Sequence, residues 1–165
     1  MRGISKIFLF LTVLYAIMIF YLSSVSDLNI PRPWLVELYR FFRQIQNSDY
    51  LFLLSPLYPI LNQQDKMLHT ILYFGFGFLL FLTLKSVGKS VIAALILSII
   101  VGILYGASDE IHQMFVPGRT ADIMDLAADV TGILLALTLF IIFYIFIFIF
   151  LQLLGPKMIR IIKKS

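Results

Sequence analysis

The chain has no cysteine. That excludes disulfides and thiolate chemistry, and it removes cysteine usage as a guide to redox compartment. Charge is also scarce: Asp, Glu, Lys and Arg make up 13% of the residues, against about 25% in a soluble domain. Two histidines and nine carboxylates are the whole inventory of metal-ligand side chains. None has the His-Glu-x-x-His spacing of a zinc protease, so no metal and no cofactor is assigned from sequence. There is no internal repeat, which argues against the paired broken helices of a transporter. The net charge of +4 does not point to nucleic acid, because eight of the thirteen basic residues lie at the N-terminus, in one short loop or in the C-terminal tail. That distribution is one of membrane orientation.

What the chain has in abundance is apolar surface. Hydrophobic residues make up 61% of its 165 positions, more than a soluble domain of this size can hide in its core. Four runs are long enough to cross a bilayer, and the expected spans cover about 7–25, 66–85, 90–112 and 124–154. The first begins behind Arg2 and Lys6 as a signal peptide does, but Ser23-Ser24-Val25-Ser26 is a poor cleavage site, so it reads as an uncleaved span. Gly155-Pro156 reads as the stop of the fourth. The expected fold is all-α: a single domain, 1–165, formed by a four-helix transmembrane bundle. Arg2 and Lys6, Lys85 and Lys89, and Lys157, Arg160, Lys163 and Lys164 vote for cytoplasmic N- and C-termini, while only Arg119 lies between the third and fourth spans.

Between the first two spans, Trp34, Leu38, Phe41, Phe42 and Ile45 recur at spacings of three and four, with Glu37, Arg40, Arg43 and Gln44 between them. This predicts an amphipathic helix over about 33–46. It lies in the headgroup plane or packs as a lid over the bundle. Leu51 to Leu61, broken by Pro56 and Pro59, reads as an interfacial or re-entrant connection.

The ionisable residues gather at one end. At about 1.5 Å per residue, Asp65 lies about 30 Å from Lys85, and Asp109 about 29 Å from Ser90, so both acids approach the outer face if the lysine loop is cytoplasmic. Asp65, His69 and Tyr73 share one helix face; Tyr105, Asp109, His112 and Gln113 share another; Asp122, Asp125 and Asp129 form a third stripe. With Glu110 and Arg119, these stripes can meet in one pocket. Bland readings compete with that one. Asp122 and Asp125 fit an N-cap with an acidic first turn, Arg119 can pair with either, and His69 and His112 can simply tie helices together.

Asp65-Lys66-Met67-Leu68-His69 with Tyr73 and Gly77, then Tyr105 through Gln113, Phe115-Val116-Pro117-Gly118-Arg119, Asp122, Asp125 and Gly132, form a combination that resembles the VanZ-like family of small bacterial membrane proteins. Ser23-Ser24 is a weaker match of the same kind. Asp129 stands where that family more often has Asn, and Ala136 where a second Gly is common. The resemblance implies a multipass cell-membrane protein, and some relatives are linked to resistance to the glycopeptide teicoplanin.

Two functions stay open. In one, the pocket binds a lipid headgroup, a lipid-linked precursor or an amphiphilic drug through Asp65, His69, Tyr73, Tyr105, Asp109, Glu110, His112, Gln113, Arg119, Asp122 and Asp125, with Arg119 on the ligand's phosphate or carboxylate. In the other, the protein is an enzyme on a lipid-linked substrate, with His69 or His112 as base, oriented by Asp109 or Glu110, or with these groups holding a metal.

Overall fold

The computed structural model describes residues 3–25, 33–46, 60 and 63–162. Among these residues, five helices have described bounds: α1 Gly3–Ser23, α2 Pro33–Gln46, α3 Gln64–Ser86, α4 Val91–Gln113 and α5 Ile123–Ile162. Four of them, α1, α3, α4 and α5, are long and apolar enough to cross a membrane, as the runs predict. The amphipathic helix falls where its periodicity places it; among the described residues, α2 touches only α3. The connection expected over Leu51 to Leu61 lies, apart from the buried Ile60, outside the described residues.

The helix ends follow local chemistry. Val87 closes α3, Gly88 turns left-handed at φ 89°, and the Lys89 N–H returns to the Leu84 carbonyl at 3.1 Å. This is the six-to-one bond of a glycine-terminated helix. Ser90 then caps α4, its hydroxyl accepting from the Ala93 N–H. A four-residue link therefore makes α3 and α4 an antiparallel hairpin. At the other end, Pro117 has no N–H to continue the helix, and Gly118 reverses the chain at φ 79°.

One expectation is corrected. The helix does not stop at Gly155-Pro156: α5 runs 40 residues to Ile162, about 60 Å at 1.5 Å per residue. Its apolar part, Ile123–Gln152, already matches a bilayer with its headgroups. Beyond it, Pro156 forfeits only the bond to the Gln152 carbonyl, which a polar surrounding can satisfy where hydrocarbon cannot.

The bundle is organised around α3. Half of its apolar window is buried (50%), against 17%, 22% and 17% in α1, α4 and α5. The pairings fix the directions. Ser5 donates to the Ser86 carbonyl and Thr12 bonds Thr83, so α1 runs antiparallel to α3. Tyr105 donates to the Ala16 carbonyl and His112 bonds Ser24, so α1 and α4 run parallel. Lys66, His69 and Thr70 meet Asp125, Asp129 and the Ala128 carbonyl, so α5 runs parallel to α3. Gly132 is what lets these two backbones touch: a Cβ there would collide with the Thr70 carbonyl oxygen and come within 2.8 Å of the Phe74 nitrogen. Small residues do this work in membrane helix pairs, where no hydrophobic effect drives association. The apolar core (Ile19, Tyr73, Phe76, Leu80, Phe81, Ala94, Ile133, Leu137) fills the middle. Outside it, Phe143, Phe146 and Phe148 are 57–63% exposed, a surface that belongs in lipid.

Candidate functional site

Two helix starts and two helix ends meet at one end of this bundle: α3 and α5 begin there, α1 and α4 finish there. Parts of the first two polar stripes meet there. A cavity of about 30 Å³ is lined by Asp65, His69 and Tyr73 from α3, Asp109 and Gln113 from α4, and Arg119 from the turn, with Ile19, Leu22 and Ser23 of α1 as its wall. That volume holds about two waters. It receives one small polar group rather than a whole headgroup.

Lys66 and His69 join α3 to the start of α5 beside the cavity. The Lys66 ammonium, 5% exposed, donates to Asp122 at 2.6 Å and to Asp125 at 2.8 Å. His69 Nδ1 lies 2.9 Å from Asp129 Oδ1, and the Asp129 side chain is wholly buried. Asp122 also caps α5, accepting from the Met124 N–H at 2.8 Å, so the N-cap reading holds for this residue. Lys66, then the Met124 N–H, hold the Asp122 carboxyl below its usual range. Glu110 accepts from the Asp122 N–H at 2.8 Å and so ties the end of α4 to the start of α5.

Arg119 pairs with neither Asp122 nor Asp125. Its guanidinium donates to the Val25 carbonyl at 3.1 Å and stands 3.9 Å from Asp65, beyond hydrogen-bond reach, while its buried Nε has no partner. The turn at Gly118 swings it toward the end of α1, away from the start of α5.

Tyr105 and His112 do not line the cavity. They hold α4 against α1: Tyr105 reaches the Ala16 carbonyl at 2.6 Å, and His112 Nε2 meets the Ser24 hydroxyl at 2.9 Å with its ring 4.4 Å from that of Phe20. Both are long side chains on the correct stripe that extend past the cavity. The sequence pattern gave Lys66 no role and placed Asp129 on the third stripe without including it in the ligand set. Lys66 sits one residue from Asp65, about 100° round the helix, and so falls off the stripe the spacing picks out.

Several buried polar atoms have no hydrogen-bond partner: Asp129 Oδ2, Glu110 Oε1, Asp109 Oδ1, and the hydroxyls of Tyr73 and Ser23. Among the described residues, two triads bring metal-ligand atoms within 4.8 Å of one another, Asp65–His69–Asp125 and His69–Glu110–Asp129. Asp65 and His69 share a face of α3, but no spacing along the chain announced either whole triad, because each draws on more than one helix.

A buried ionic network and a polar cavity at one end of four apolar helices define a multipass membrane protein with an internal polar site. The chain belongs to the VanZ/LLP1 family, whose model matches residues 7–152. No curated protein and no solved structure matches it.

Proposed function

We propose that the protein binds an anionic amphiphile of the cell envelope, a lipid or lipid-linked precursor, with the headgroup at the mouth of the polar cavity. The observation that carries this is Arg119. It stands at the cavity with its carboxylate neighbour, Asp65, at 3.9 Å and beyond hydrogen-bond reach, and with an unpartnered Nε, as a guanidinium held for phosphate or carboxylate would. On a neighbouring face of α1, an apolar groove lined by Leu14, Tyr15, Met18, Tyr21 and Leu79 suits an acyl chain. The distribution of Lys and Arg supports cytoplasmic termini, with the cavity on the outer face. A lipoglycopeptide antibiotic is an amphiphile of the same kind, so protection against such drugs is one consequence of the same binding.

Thermal unfolding in detergent tests this. Phosphatidylglycerol should raise the melting temperature of the wild type, phosphatidylcholine should not, and Arg119→Gln should abolish the shift. Equal shifts with both lipids, or an unchanged response in Arg119→Gln, would overturn it.

A second reading, an enzyme acting on a lipid-linked substrate, is favoured by one observation. His69 lines the cavity and is oriented by Asp129 at 2.9 Å, an arrangement suited to a general base. It requires that His69→Gln abolish turnover while leaving lipid binding intact; loss of both together speaks for binding alone.

A further inference from the structure

Among the described residues, the polar end of the bundle holds more acidic side chains than Lys and Arg. Asp65, Asp109, Glu110, Asp122, Asp125 and Asp129 gather there, and Lys66 and Arg119 stand among them. Lys66 is committed to Asp122 and Asp125, and Arg119 stands nearest Asp65. The acids left over are all buried: Asp129 is 0% exposed, Asp109 4% and Glu110 7%. His69 reaches only Oδ1 of Asp129 and the Asp122 N–H only Oε2 of Glu110, and buried charges in proteins are paired or bound to metal.

We propose that His69, Glu110 and Asp129 form a binding site for one divalent transition-metal cation. Each contributes a ligand atom, and the three atoms lie within 4.8 Å of one another. Asp129 and Glu110 each keep one buried oxygen, Oδ2 and Oε1, with no hydrogen-bond partner. The residues come from three helices, α3, α4 and α5, so the ion ties together the elements that the ionic pairs only join two at a time. Asp109 Oδ1, also buried and unpartnered, is available to orient a water on the ion. The other triad is the poorer site: Asp65 is 56% exposed and Asp125 is held by Lys66.

One imidazole with two carboxylates favours Mn²⁺ or Zn²⁺ over Mg²⁺, since imidazole suits the transition metals and carboxylate suits the hard ones. The site is independent of the headgroup reading, because neither Arg119 nor the groove takes part. The ion neutralises Glu110 and Asp129 whether or not a lipid is bound.

The test uses full-length protein in detergent, purified without a His tag, stripped with chelator and dialysed. MnCl₂ and ZnCl₂ are then titrated with elemental analysis and thermal unfolding as readouts, with MgCl₂ for comparison. The expected result is one Mn²⁺ or Zn²⁺ per chain and a higher melting temperature. Replacing even an outer-shell partner of a metal typically costs 10–100-fold in affinity, so Asp129→Asn and Glu110→Gln should each lose at least about 100-fold. Glu37→Gln, on the exposed face of α2, should bind as the wild type does. Independently of any variant, the electron spin-echo signal of Mn²⁺ in the wild type should carry coupling to one imidazole nitrogen. Absence of stoichiometric uptake by the wild type, uptake unchanged in both variants, or a Mn²⁺ signal without nitrogen coupling would overturn the proposal.

Discussion

Lys66→Met gives a sharp test of the ionic network. The substitution preserves most of the aliphatic length but removes the ammonium that lies 2.6 Å from Asp122 and 2.8 Å from Asp125. The two carboxylates do not suffer equally. Asp122 is 42% exposed, so water and ions screen its loss. Asp125 is 7% exposed, and breaking a buried pair by removing one partner costs about 3–5 kcal/mol. Most of the effect therefore comes from Asp125, and each 1.4 kcal/mol is tenfold. The folded-to-unfolded ratio should fall by roughly two to three and a half orders of magnitude. Unfolding in mixed micelles, followed by circular dichroism, measures this directly. Asp125→Asn added to Lys66→Met removes the stranded charge and should recover at least half of the loss. A single variant within about 0.5 kcal/mol of wild type, or a double variant no better than the single, would refute the reasoning.

Three further outcomes are expected. Asp122 has a depressed folded-state pKa, so its contribution is complete above its ordinary value near 3.8 and is lost as pH falls through the lower folded value; thermal melts between pH 6 and 3 should show a shallower acid limb in Asp122→Asn than in wild type. Because the chain has no cysteine, single Thr120→Cys and Lys89→Cys variants report sidedness. A membrane-impermeant thiol reagent on intact cells should label the first and not the second, and the reverse pattern would invert the topology. Ser24→Ala removes the bond to His112 Nε2 and should cost about 0.5–1.5 kcal/mol, measured by the same micelle unfolding, without altering lipid response, since His112 lies off the cavity.

Much of this architecture is legible in the residue pattern, for identifiable reasons. The four crossings follow from run length alone, and α2 follows from its three-four spacing. Asp65, His69 and Tyr73 meet Asp109 and Gln113 because four-residue spacing aligns side chains on a helix and a short link makes α3 and α4 antiparallel. What the pattern hides depends on packing between helices distant in sequence. The parallel contact of α3 with α5, made at Gly132, brings Lys66 to Asp125 and His69 to Asp129, and no spacing within either helix encodes it. Tyr105 and His112 show the converse. Their stripe is correct, but a long side chain on it can bypass the cavity and tie down the next helix. Gly155-Pro156 reads as a stop by propensity, yet α5 continues past it because the lost backbone bond lies beyond the apolar crossing.

The central claim is that the polar end of the bundle, through Arg119, holds an anionic amphiphile. Native mass spectrometry of the protein released from mixed phosphatidylglycerol and phosphatidylcholine micelles tests it most directly. The wild type should retain one anionic lipid per chain and Arg119→Ala none. Equal retention of both lipids by the wild type, or undiminished retention of the anionic lipid by Arg119→Ala, would contradict it.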